Sequence, residues 1–185
     1  MTALSDPPRN AYHRPQSVID WFHFLLITSF GLGLAPVASG TFGTLGGVVL
    51  AVVGQLLLDD GVQPVWMLPV ALWGAAAVLL AYGCAQSAFT ARTFPRKDPG
   101  PFVLDEVVGY LVTVALYTSI QGAPTIGGHV VAFLVFRFFD IAKIQPAKRL
   151  EGLPGAPGVM LDDVAAGVYA GLVMTLAHPF LWSLS

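Results

Sequence analysis

Charge is scarce in this chain. Only 11% of its 185 residues are Asp, Glu, Lys or Arg, against roughly a quarter in a soluble domain. That scarcity excludes an ordinary water-facing surface over most of the protein. Basic excess is missing too: the formal net charge is −2, so nothing argues for a nucleic-acid partner, and none is expected. Cysteine is almost absent. Cys84 stands alone, which rules out a disulfide framework. The first 17 residues are polar and proline-bearing. They lack the basic-then-apolar order of a secretory signal and are read as a mobile tail, ahead of a single domain over residues 18–185.

What the chain has in abundance is apolar sequence. Hydrophobic residues make up 55% of it and the mean hydropathy is +0.71. The expectation is an all-α, multi-pass membrane protein. Apolar stretches run over Trp21–Leu34, Thr44–Leu58, Val65–Tyr82, Val107–Ile120, His129–Ile144 and Val164–Trp182. A full span takes about 20 residues. The first stretch is short and runs into the linker APVASG. It is therefore read as interfacial or re-entrant, leaving roughly five spans.

The basic residues sort these spans. Arg9 and Arg14 lie in the tail. Arg92, Arg96 and Lys97 lie in one loop, and Lys143, Lys148 and Arg149 in another. The DDGVQP and QGAPTIGG loops have none. Positive loops stay in the cytoplasm, so the basic loops are expected inside and the other two outside. This alternation puts the GTFG turn, Asp105-Glu106, Asp140 with Lys143, and Asp162-Asp163 at cytoplasmic ends of spans. Asp59 and Asp60 fall on the other face.

Acids at the edge of lipid are costly and usually functional. Asp105-Glu106 precede VVGYLVTVALY, Asp162-Asp163 precede VAAGVYAGLVMTLA, and Asp140 lies in FLVFRFFDIAK. Carboxylates converging on one face suit a hard, oxygen-loving cation such as Mg²⁺. The plainer alternative is helix capping by each pair. Neighbouring helical residues point about 100° apart, so one member of each pair is expected to face the site, while the other caps its helix or holds a second metal. Arg137 and Asp140 share a helix face as an i, i+3 pair. Either they neutralise each other, or Arg137 binds an anion while Asp140 binds metal. Lys143 lies nearest the helix end and is a second candidate for the anion. SGTFGTLGG joins a loop to a helix start, where free N–H groups suit a phosphate, and Thr41 and Thr44 would add hydroxyl donors. The motif lacks the lysine of a P-loop, and its glycines equally suit close helix packing. EGLPGAPGVM reads as a loop before Asp162, either a turn or a lid.

At these residues the chain resembles bacterial phosphatidylglycerophosphatase A. The resemblance runs from about Trp21 onward. It is carried by FGLGLAPVASGTFGTLGG, by Asp105-Glu106-Val107-Val108-Gly109, by Phe136-Arg137-Phe138-Phe139-Asp140, and by Gly158 to Gly167 with its Asp162-Asp163-Val164-Ala165-Ala166-Gly167 core. Ile144 stands where that family usually has proline. The resemblance implies an Mg²⁺-dependent phosphatase of the bacterial cytoplasmic (inner) membrane. Its partner would be a phospholipid substrate, phosphatidylglycerophosphate, cleaved to phosphatidylglycerol at the cytoplasmic face. Asp105, Glu106, Asp140, Asp162 and Asp163 would be the metal set. Asp105 and Asp163 are the leading base or nucleophile, and Thr41, Thr44, Arg137 and Lys143 would hold substrate. A small cation transporter is the rival from another class, but it would place its acids near the bilayer midplane. A different lipid-phosphate enzyme is the rival within enzymes.

Overall fold

A computed structural model describes residues 8, 10–59, 61–96 and 99–181. Arg9, Asp60, Lys97, Trp182 and most of the first nine residues therefore fall outside the described set. Among the described residues all regular structure is helical. The helices are α1 (Val18–Ile27), α2 (Ser39–Leu58), α3 (Met67–Ala85), α4 (Ser87–Thr93), α5 (Leu104–Gln121), α6 (Ile126–Ala142), α7 (Ala147–Leu150) and α8 (Ala156–Leu181). A 3-10 turn over Leu32–Leu34 links α1 to α2.

Three helices are long and apolar enough to cross a membrane: α2, α3 and α8. The two others expected to span, α5 and α6, have 18 and 17 residues. α5 carries Asp105 and Glu106 in its first turn, and α6 ends on Arg137 and Asp140. The acids in its first turn lower the hydropathy of α5, whereas α6 is simply shorter. α1, with 10 residues, is too short to cross.

α5 forms the axis of the bundle. α8, α3, α2 and α6 pack around it, and nearly every residue from Leu104 to Thr118 is buried. This explains a continuous apolar run with little amphipathic pattern. The tightest crossing is between α5 and α8. A Cβ at Gly167 would collide with the Gly109 carbonyl, and one at Gly109 would collide with the Phe136 ring and the Asp163 carbonyl. Thr113 Oγ1 donates to the carbonyls of Gly109 and Gly167 at 3.0 and 3.2 Å, bridging the two backbones. Gly43 and Gly47 perform the same service for α2, lying against Val103, Val107 and Tyr110. The packing role weighed for these glycines is the one they play.

Two starts differ from the sequence reading. α2 begins at Ser39, so the GTFG segment is inside its first turns. α8 begins at Ala156, so the second half of EGLPGAPGVM is helix, and only Glu151 to Gly155 lie between α7 and α8. Pro157 does not interrupt α8, because a first-turn residue has no intrahelical N–H bond to lose. Asp162 and Asp163 consequently lie about two turns inside α8, where capping cannot explain them.

Toward the other end of the bundle the polar side chains are joined. Tyr110 Oη lies 2.8 Å from His129 Nδ1, and His129 Nε2 lies 3.0 Å from Gln55 Oε1. Gln55 Nε2 donates to the Pro124 carbonyl at 3.1 Å. This chain of contacts ties α2, α5 and α6 together.

Candidate active site

Four chain segments meet at one end of the bundle: the first turns of α2 and α5, the end of α6, and the second turn of α8. They enclose a cavity of about 700 Å³ whose lining includes Asp105, Glu106, Asp140, Asp162 and Asp163. Both members of each acidic pair line it, as the alternative of a second metal-holding member allows. The first turn of α5 opens directly onto the cavity floor, so adjacent side chains can splay to either side and still reach it.

Asp105, Glu106 and Asp163 form the tightest group. One carboxylate oxygen from each lies within 4.8 Å of the others. Asp105 and Asp163 are only 7% and 4% exposed. Asp105 also makes a local bond, accepting the Glu106 N–H at 3.0 Å. That bond is local to the first turn and occupies one oxygen only; the N-cap position of α5 is Val103, with no side-chain cap bond.

Asp140 and Asp162 are placed differently. Arg137 hydrogen-bonds Asp140 and lies 3.9 Å from Glu106. Lys143 Nζ donates to Asp162 at 2.9 Å and to Glu151 at 2.7 Å. Each of these acids therefore has a close cation partner, while among the described residues the group of three has only the longer Arg137–Glu106 contact. Burial works against the Lys143 ammonium, but Glu151 and Asp162 outweigh it and hold its pKa above the ordinary lysine value.

Two buried oxygens have no partner among the described residues: Glu106 Oε2 and Asp162 Oδ1. An unpaired buried carboxylate oxygen is expensive and rare. Both belong to acids lining the cavity, and an oxygen-binding cation would satisfy them. Hard divalent cations take carboxylate ligands of this kind. The donor set fits a metal, which Asp105, Glu106 and Asp163 are close enough together to hold.

The backbone is also specialised here. Ala38 and Lys143, both lining the cavity, have left-handed φ of 53° and 45°. A non-glycine residue in that region is uncommon and strained, and such residues cluster at functional sites. Gly40 is the close-approach residue. A Cβ there would run into Glu106 Oε1 and the Arg137 guanidinium. So the α2 segment contributes Ala38 and Gly40 to the lining. Thr41 and Thr44 are not among the lining residues. Thr44 is fully buried, and its hydroxyl bonds the Gly40 carbonyl at 2.8 Å.

Sequence reading did not single out Glu151 as the partner of Lys143 or Lys148 as a lining residue. An acid set against the basic run KRL was the available signal for the first. The second was indistinguishable from a residue that simply fixes topology.

Comparison with known proteins agrees with this chemistry. The family model for Phosphatidylglycerophosphatase A matches residues 25–178. A phosphatidylglycerophosphatase A of Haemophilus influenzae is 35% identical over 151 residues, covering 81% of this chain and 85% of its own length. One of Escherichia coli strain K12 is 29% identical over 163 residues, covering 83% of each chain. A protein of Bacteroides thetaiotaomicron, named provisionally as a phosphatidylinositol-3-phosphatase, is 32% identical over 156 residues, covering 83% of this chain and 92% of its own. No solved structure gives a significant match. The chain belongs to the phosphatidylglycerophosphatase A family, and it is a phosphatase.

Proposed function

We propose that this phosphatase removes the terminal phosphate monoester of phosphatidylglycerophosphate, leaving phosphatidylglycerol and phosphate, with Mg²⁺ as its metal. The observation that carries the reading is the convergence of Asp105, Glu106 and Asp163 on a cavity that also holds Arg137 and Lys143. A phosphate monoester is close to doubly negative. Its hydrolysis needs charge neutralisation on the phosphate and a group able to take a proton or attack phosphorus. Bound Mg²⁺ would supply the neutralisation and Lewis-acid polarisation. Arg137 offers a planar fork matched to two phosphate oxygens, and Asp140 holds that fork in place. Lys143 adds a second positive charge, steadied by Glu151 and Asp162. Gly40 lets the first turn of α2 approach closely, where helix N–H groups favour an anion. Asp105 or Asp163 acts as the base that takes a proton from water, or as the nucleophile itself.

The membrane reading follows from the same geometry. α2, α3 and α8 span. α6 presents an exposed apolar stripe of Ile126, Val130, Leu134, Phe138 and Ile141, which suits lipid contact despite its length. α5 is enclosed by the others. Together these support five spans in the bacterial inner membrane. The basic loops beside the cavity support a cytoplasmic position for the acids.

The names of the relatives point to lipids of one plan. Phosphatidylglycerophosphate and phosphatidylinositol 3-phosphate each carry a phosphodiester, then a polyol, then a phosphate monoester. The deciding assay is phosphate release from these two lipids by the purified protein, with Mg²⁺ and with chelator. Mg²⁺-dependent release, fastest from phosphatidylglycerophosphate, is expected. Full rate in chelator removes the metal, and faster release from the inositol lipid reassigns the substrate.

A further inference from the structure

We infer that Lys148 and Ile141, which line the same cavity, form a second subsite, which holds the substrate's phosphodiester and selects lipids that carry one. This rests on the reading of the cavity as the phosphatase site. At about 700 Å³ the cavity lies in the range that takes a drug-sized ligand. One phosphate group does not need that room, so part of the space serves the rest of the headgroup.

The cations divide accordingly. Arg137, Lys143 and Lys148 line the cavity. Arg137 is engaged by Asp140, and Lys143 by Glu151 and Asp162. Lys148 is exposed and has no ion pair or hydrogen bond among the described residues. It rises from α7, whose Ala147 is buried. The base of the side chain is thus fixed while its ammonium stays available to an incoming anion.

The lining says which anion. Ile141 lines the same cavity yet is 71% exposed. It ends the apolar stripe of α6, next to Phe138. The cavity lining therefore includes both an exposed apolar side chain and an exposed cation. A lipid lying along the stripe would put its acyl chains against Phe138 and Ile141. Its phosphodiester would fall where apolar surface gives way to Lys148. The polyol would then reach inward and deliver the monoester to Asp105, Glu106 and Asp163. Phosphatidate fits this arrangement poorly. Its single phosphate is joined directly to the diacylglycerol, so it cannot reach Lys148 and the acids at once.

The test uses the full chain in mixed micelles with Lys148→Gln and Lys148→Arg. Steady-state kcat/KM is measured on phosphatidylglycerophosphate and on phosphatidate with Mg²⁺. Binding of the same two lipids is measured by calorimetry with the divalent cation withheld. Lys148→Gln should lower the ratio of kcat/KM for the two-phosphate lipid over phosphatidate about tenfold, mostly through KM, with a matching change in the binding ratio. Lys148→Arg should restore most of it. An unchanged ratio in both measurements overturns the subsite, as does an equal loss on both lipids. If the unaltered protein releases phosphate from neither lipid, the proposed reaction fails, and the binding ratio still decides the subsite.

Discussion

The two ends of this bundle treat polar groups in opposite ways. Away from the cavity, Tyr110, His129 and Gln55 are joined in one chain of contacts that ends on the Pro124 carbonyl. Tyr117 likewise lies 2.7 Å from His178 Nδ1. At the cavity, six acids gather with three cations, and two buried oxygens, Glu106 Oε2 and Asp162 Oδ1, are left without partners among the described residues. Two of the four described non-glycine residues with left-handed backbone, Ala38 and Lys143, also lie there, the other two being Ser29 and Phe30. The same chain can satisfy its buried polar groups, so their neglect at one end is not poor packing. Places where a sequence breaks local rules are where function is expected. The comparison teaches that the far end is built for stability and the cavity for a ligand.

The sharpest way to test that division is to remove charge from the group of three. Asp105→Asn and Asp163→Asn keep size and burial but lose the anion a hard cation needs. Turnover should fall by about 10²–10³-fold or more, on the scale of losing one electrostatic contact to the transition state. Thermal stability in detergent should hold or rise, because crowded buried anions repel one another. Retained turnover in Asp163→Asn would dissolve the proposed site. A collapse in stability would place these acids with the far end, as structural groups.

Much of this site was legible in the sequence for a simple reason. Acids are so rare beside long apolar runs that each one carries information, and Asp105, Glu106, Asp140, Asp162 and Asp163 were all found that way. The family motifs then tied them together. What could not be read was partnership. Nothing in spacing shows that Lys143 reaches Asp162 and Glu151, because that contact joins three elements across a loop. Nor does sequence show that Thr44 turns its hydroxyl back on its own helix while Gly40 faces the cavity. Both suit a helix start equally well, and only the position of Glu106 and Arg137 separates them. For the fold, helical content followed from hydropathy. The span count did not, since α5 carries two acids in its first turn and α6 is only 17 residues long, which leaves α2, α3 and α8 among the described residues as long and apolar enough to cross. The start of α8 was misjudged because Pro157 and Gly158 look like a loop, although proline is well tolerated in a first turn.

Arg137 is where the two treatments meet, since it is both paired and placed in the cavity. If it is only a counter-ion for Asp140, the double variant Arg137→Met with Asp140→Asn should recover the stability that either single change loses. An unpaired buried charge is the costly state, and activity should recover with it. If Arg137 also grips phosphate, the double variant should be stable but slow. Arg137→Lys should then lose about tenfold in kcat/KM, since an ammonium lacks the planar fork. Melting temperature and phosphate release measured on the same preparations separate the cases. A double variant with near-normal turnover would move the phosphate grip to Lys143 and the start of α2.

The smallest effect on chemistry is expected from the far end, and it is the most direct challenge to the division. His129→Leu would leave the Tyr110 hydroxyl and the Gln55 carboxamide without their central partner. Each unsatisfied buried group costs about 1–3 kcal/mol, so the melting temperature should fall clearly. Phosphate release per folded molecule should nevertheless stay within about twofold, as for a substitution remote from the site. Asp59→Asn, at the end of α2 about 30 Å from Gly40 by helix length, should change neither quantity. The risk to this expectation is specific. Tyr110 stands one helical turn beyond Glu106 on α5, so a shift of Tyr110 has a short path to the acids. If His129→Leu lowers kcat while the melting temperature holds, the polar chain feeds the cavity, and the two ends are one device. If stability falls and turnover per folded molecule does not, α5 carries two separate duties along its length.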